Sequence, residues 1–223
     1  MQIRFIGCWL LGLAALTLSA CTTTTTPTMQ LIHGGSVGKT YNNLGTITVN
    51  QFLDQRSNSE QVNHSTSSQL MPFAYGIVYS GQTIPSIPQY LQQSISQEAQ
   101  QTGIFTPAKN TGQYTMSGNI TSLYVSYKGE AINLPVTLNG NSTPVTLGGY
   151  PSFTAVVKYH VDIYQGNQRV FSKNVDETYT QKVYTDMSGA SAQDISSQAQ
   201  AVLDQTVTRS IKDLFDSISA AGL

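Results

Sequence analysis

From Phe153 to Tyr164 the chain alternates without a break. Phe153, Ala155, Val157, Tyr159, Val161 and Ile163 face one way, while Thr154, Lys158, His160 and Asp162 face the other. A period of two with one apolar face is the pattern of a strand covered on one side only. Gln165-Gly166-Asn167-Gln168 follows and reads as a hairpin turn, because Gly and Asn accept positive φ. Arg169 to Gln181 then returns with Phe171, Val175 and Tyr179 at spacing four, one face of an antiparallel partner. A sheet built on this hairpin must bury its apolar face under something else.

Two helical segments are available as cover. Ser86 opens the first, with Gln89 three residues on in the capping-box arrangement and Pro88 in the tolerated first turn. Ile87, Leu91, Ile95 and Ala99 recur every four residues, and Gly103 is a natural stop. The second runs from about Ser191 to Ser219, where Val202, Leu203, Val207, Ile211, Leu214, Phe215 and Ile218 form an apolar stripe. Asp194 near its start and Arg209 and Lys212 towards its end suit the helix dipole. The expected fold class is therefore α+β, a mostly antiparallel sheet packed against two amphipathic helices in a two-layer sandwich.

Further strands are expected at Gly45–Val49, running on to Asp54-Gln55-Arg56, at Phe73–Tyr79, and at Tyr114–Tyr127. In the last of these, Tyr114, Met116 and Ile120 share one parity, and Leu123, Val125 and Tyr127 the other. One extra residue near Thr121-Ser122 would restore a common face, so a β-bulge is expected there. Ser57 to Gln69 is polar and loop-like. Lys128 to Gly149, rich in Gly, Asn and Pro, reads as an insertion or a ragged hairpin turning at Asn139-Gly140.

The N-terminus carries an address. Arg4 precedes an apolar run from Phe5 to Leu16, which ends in Leu18-Ser19-Ala20-Cys21. A run this short does not span a bilayer, for which roughly 20 apolar residues are needed. It has the form of a secretory signal peptide. Its ending resembles the bacterial lipobox, which implies cleavage before Cys21 and acylation of that cysteine. Each buried methylene adds ~0.8 kcal/mol, so three acyl chains would make release negligible. Thr22, rather than an Asp in that place, points to the outer membrane facing the periplasm. The expected organisation is a signal peptide over 1–20, a Thr-rich lipid-anchored tether over 21–43, and one periplasmic domain over 44–223 with an insertion at about 128–150.

Composition narrows the chemistry. Only 10% of residues are charged and the net charge is -1, which leaves no basic stripe for nucleic acid. Cys8 falls in the removed segment, so Cys21 is the sole mature cysteine, and disulfides and a catalytic thiol are excluded. No Gly-x-Ser-x-Gly elbow and no His-x-x-x-His pair is present. His160 and Asp162 share a strand face and read as part of a solvated polar surface. His33 and His64 fall in the tether and in a loop. Gly34-Gly35-Ser36-Val37-Gly38-Lys39-Thr40 evokes a phosphate-binding loop, yet it is one residue short between its glycines and follows a tether instead of a strand. Neither a nucleotide, a metal nor a cofactor is expected. Asp54 and Arg56 are either a charged contact for a partner or a local ion pair at a turn.

The stretch GTITVNQFLDQRSNSEQV, with the lipobox before it and Asp54-Gln55-Arg56 closing it, resembles the opening of the YajG-type family of bacterial outer-membrane lipoproteins. The resemblance extends over roughly residues 44–220 and supplies no catalytic residues. The segment from Lys128 to Gly149 and the longer linker depart from it. A lipid anchor on a small α+β domain is also similar to the plan of accessory lipoproteins in secretion systems and lipopolysaccharide assembly. The function expected is a non-enzymatic binding or accessory component of an envelope assembly, with the membrane and an envelope protein as partners. A lipid or glycan carrier lined by Tyr75, Tyr79, Tyr124, Tyr127 and Tyr159 is the alternative, and an envelope hydrolase the third.

Overall fold

The computed structural model describes residues 29–57, 75–79, 83–128, 131–138, 141–148, 152–183 and 192–223. Thirteen elements lie within them. In chain order they are β1 (Met29–Gln30), β2 (Thr46–Val49), β3 (Leu53–Asp54), β4 (Tyr75–Tyr79), β5 (Thr83–Ile84), α1 (Ile87–Thr102), β6 (Thr106–Pro107), β7 (Tyr114–Lys128), β8 (Ala131–Leu138), β9 (Asn141–Gly148), β10 (Ser152–Gln165), β11 (Gln168–Lys182) and α2 (Ala192–Ala221). The fold is α+β, with an open mixed sheet covered by two helices.

The principal sheet runs β11-β10-β7-β2-β6, with β3 and β4 also pairing to β7. Its long ladders, β7–β10 and β10–β11, are antiparallel, in the register that alternation demands: Tyr159 opposes Val175 and Phe153 opposes Gln181. The other edge is parallel, since β2 and β3 lie parallel to β7, and β6 parallel to β2. The expected continuous first strand is broken between Val49 and Leu53. Phe52, turned fully inward in that break, packs edge-on against Tyr159 with ring centroids 6.0 Å apart.

The expected bulge is present on β7. Lys158 pairs with Ser122 and Tyr159 with Ile120, so Thr121 is the unpaired residue and is exposed. Ile120 before it and Leu123 after it are thereby both fully buried. The insertion forms a separate antiparallel hairpin, β8–β9, with Leu138 opposite Asn141. The expected turn at 139–140, the loop over most of 57–69, and His64 lie outside the described residues.

Both helices lie over the sheet, α2 on β7, β10 and β11 and α1 on β2, β3 and β6. The Gln89 side chain accepts from the Ser86 amide at the start of α1, and Gly103 ends that helix at φ 74°. Leu91, Ile95, Val202, Leu203, Val207, Ile211, Leu214 and Phe215 are shut off from solvent. Tyr159 is buried with its hydroxyl bonded to Ser210, and Tyr127 packs against Phe153. These two tyrosines are core, not the lining of an apolar groove.

Candidate functional site

Residues 31–43 are not a free tether. They form a strap running parallel to α1 and α2, in the seam between them, with Leu31, Val37 and Tyr41 in the core. The contacts proceed in order along the helices. Gln200 donates to the Ile32 carbonyl, Gly34 donates to Asp204, Val37 donates to Glu98, Tyr41 bonds Thr102 and Asp216, and the Leu44 amide reaches Ile104. Three apolar anchors spaced over eleven residues, with no period of two or 3.6, explain why local pattern reading passes over this segment.

His33 is the centre of the strap. Its Nδ1 lies 2.6 Å from Asp204 Oδ1 and its Nε2 lies 2.9 Å from Glu98 Oε1. The imidazole side chain is 4% exposed and that of Glu98 0%. Both ring nitrogens face carboxylate oxygens, and only the doubly protonated ring can donate to both. Burial works against the charge, but the hydrogen bonds and the attraction of Asp204 and Glu98 outweigh it and raise the pKa above its usual value. The remaining carboxylate oxygens take backbone amides, Gly34 on Asp204 and Val37 on Glu98, at 3.1 and 2.9 Å. The Tyr90 hydroxyl is 3.5 Å from Asp204.

The glycine-rich GGSVGKT run acquires its meaning here. It does cradle anions, but they are the protein's own Asp204 and Glu98. Gly35 lies so close to α2 that a Cβ would run into Thr208. Lys39 at its end pairs with Asp216 and stands 4.7 Å over the Tyr41 ring. Lys212, Lys39 and the Tyr41 hydroxyl together hold the Asp216 carboxyl well below the usual range against the opposing effect of burial. The signal available in the sequence was Glu98, the one charge in α1, three residues after Ile95 on the buried stripe.

The other expected residues are resolved as follows. Arg56 forms a fork on Asp54, Nε to Oδ1 at 2.9 Å and Nη2 to Oδ2 at 2.8 Å, with the Arg56 side chain 4% exposed. That hydrogen bond pulls the Asp54 carboxyl below its ordinary value. The fork thus buries the cation, which is not presented to solvent, while the Asp54 carboxylate stays partly open. Leu18, Ser19, Ala20 and Cys21 lie outside the described residues.

On the outer sheet face, His160 does meet Asp162, at 3.3 Å, beside Ser172 at 3.4 Å and Asn174 at 2.7 Å. The geometry is not that of a nucleophile and its base. Asp162 approaches the same Nε2 as the serine, and does not stand behind Nδ1 as an orienting carboxylate does. Among the described residues, no group of three or more His, Cys, Asp or Glu is disposed to hold a metal ion.

No family model matches the chain, and no curated protein matches it. Among solved structures it is similar to protein XCC0632 from Xanthomonas campestris, described as DUF330, with a TM-score of 0.48 and 9% identity, covering 88% of this chain and 97% of that one.

Proposed function

We propose that this chain is an outer-membrane lipoprotein, anchored through Cys21 with its domain in the periplasm, that serves as a non-enzymatic binding or accessory component of an envelope or secretion assembly. The observation that supports it is the strap. Leu31 follows Cys21 by ten positions and is already core. At full extension that stretch reaches at most about 36 Å. An acyl group on Cys21 would therefore hold the domain close to the bilayer, with force on the anchor carried into the seam between the helices. Confinement of this kind raises the effective concentration towards other membrane-held partners. Kinship with the YajG-like lipoproteins belongs to the same proposal.

Metabolic labelling with an alkyne palmitate analogue tests the anchor. The wild-type chain takes up label and fractionates with the outer membrane, and Cys21→Ala loses both. An unlabelled wild-type chain overturns the reading. Crosslinking in intact envelopes tests the accessory role, and recovery of no protein partner from the labelled chain would remove it.

A further inference from the structure

Where the chain enters the domain, the β1–β5 ladder carries apolar side chains open to solvent and no charge of its own. β1 and β5 pair in parallel, Met29 with Thr83 and Gln30 with Ile84, and the Leu31 amide continues the ladder to the Ile84 carbonyl. Gln30, Ile32 and Ile84 therefore share one face, while Leu31 points the other way into the core. Ile32 is 64% exposed and Ile84 63%, two of the three large apolar side chains left open among the described residues. The segments that build this end, 29–32 and 83–97, contain no Asp, Glu, Lys or Arg. The nearest charge from α2 is Asp204, one turn after the Gln200 that bonds Ile32, and it is already held by His33 and the Gly34 amide.

Its position fits its composition. Met29 follows Cys21 by eight positions, so an acylated Cys21 keeps this face within roughly 30 Å of the lipid. The opposite end is elsewhere. α1 carries the fold about 24 Å away from Ile87 to Thr102. There Ile104 meets Leu44, β2 runs beside the start of β7, and Tyr114 opposes Gln165 at the β10–β11 turn. We propose that the Ile32–Ile84 face rests on the surface of the anchoring bilayer, seating the domain with its β10–β11 turn pointing away from the membrane. The contact would be interfacial: two isoleucines enter the headgroup boundary, and the two segments that carry them bring no Asp, Glu, Lys or Arg side chain with them. The inference rests on acylation of Cys21.

The test uses the full acylated chain in phosphatidylethanolamine–phosphatidylglycerol vesicles. Cys21 is blocked by its lipid, so a single added cysteine, Gln30→Cys or Asn167→Cys, takes an environment-sensitive fluorophore alone. Shallow spin-labelled lipids are expected to quench the probe at 30 several-fold more than the probe at 167. Tethering alone would also favour position 30, so two further variants separate it from docking. A fifteen-residue Gly/Ser insertion after Thr28 should leave the quenching in place, and the double variant Ile32→Ser/Ile84→Ser should remove most of it while unfolding at the wild-type temperature. Quenching that vanishes with the longer linker, or that survives the double variant, overturns the contact. Mass spectrometry of the same sample separates the two readings. An unacylated Cys21 overturns anchor and contact together, whereas an acylated chain with equal quenching at 30 and 167 overturns the contact alone.

Discussion

His33 Nδ1 is bonded to Asp204 Oδ1 at 2.6 Å, joining the first turn of chain inside the domain to the middle of its last helix. The partners stand 171 positions apart, and Glu98 on the first helix completes the clasp from the other side. One imidazolium thus ties the strap, α1 and α2 together. Under the proposed anchor at Cys21, a pull on the N-terminus would meet this charged, hydrogen-bonded knot as well as the apolar core.

Replacing His33 should expose how much the clasp contributes. His33→Ala leaves Glu98 and Asp204 as buried like charges with only their backbone and Tyr90 donors. Removing one partner of a buried ionic set destabilises by about 3–5 kcal/mol. Urea unfolding of the two proteins measures the difference. Pairing the change with Glu98→Gln should recover part of the loss, since the stranded charge is then gone, and the double-mutant cycle reads the coupling directly. A loss near zero for His33→Ala would show that the strap is held by Leu31, Val37 and Tyr41 alone.

The same group predicts a pH dependence with a definite sign. The folded state keeps the His33 proton to a higher pH than the unfolded chain, whose histidine titrates near ~6.5. The folded state therefore binds more protons across that interval, and stability falls as pH rises. The contribution is complete below about pH 6.5 and is lost as pH climbs through the raised folded value. Denaturation midpoints measured from pH 5 to 9 should fall for the wild type relative to His33→Gln. At the acid end, Asp216 acts in the opposite sense. Its lowered pKa contributes stability above the ordinary carboxylate range that disappears as pH drops. Parallel profiles for the wild type and His33→Gln above pH 6.5 would place the charge elsewhere.

What could be read from the residues, and what could not, divides along the distance over which a pattern acts. The β10–β11 hairpin was legible because alternation and the Gly166-Asn167 turn are local. Both helices were legible for the same reason, through stripes such as Leu91-Ile95-Ala99. The bulge at Thr121 was legible because a parity change within one strand has a single physical remedy. The parallel pairing of β2 with β7 leaves no mark within either strand. The strap was hidden for a further reason. His33, Gly35 and Lys39 take their meaning from Asp204, Thr208 and Asp216, each more than 170 positions away. The glycine-rich run evokes a phosphate-binding loop but fails its spacing, and nothing local in it points to the protein's own carboxylates.

Deleting Thr121 should be far worse than mutating it. The residue is exposed, so Thr121→Ala is expected within about 0.5 kcal/mol of wild type, as for other surface changes. Its deletion removes the offset that lets both halves of β7 face inward. Leu123, Val125 and Tyr127 would then turn to the outer face while Tyr114, Met116 and Ile120 stayed in, or the reverse. Exposing each such side chain costs about 1.5–3 kcal/mol, and three together approach the whole stability of a domain this size. Circular dichroism and thermal unfolding should show a folded Thr121→Ala and no cooperative transition for the deletion. A cooperative transition in the deletion variant would mean that the strand re-registers without a bulge.

Gly118 should tolerate no side chain, for a reason separable into two parts. It lies on β7 opposite Val161, where a Cβ would run into the His160 carbonyl and come within 2.6 Å of the Phe52 ring. The carbonyl belongs to the backbone of β10, which is paired on both edges and has nowhere to go, whereas the ring is a side chain in the break between β2 and β3. Gly118→Ala is expected to destabilise by about 1–3 kcal/mol, the range for inserting a methyl into a packed interior. Phe52→Leu removes the ring and leaves the carbonyl, so the double variant should show a favourable coupling of roughly half the Gly118→Ala loss, on the scale seen for residues in contact. Urea midpoints of the four proteins in the cycle measure it. Additivity, with no coupling, would assign the whole penalty to the backbone of β10, and complete rescue would assign it to Phe52.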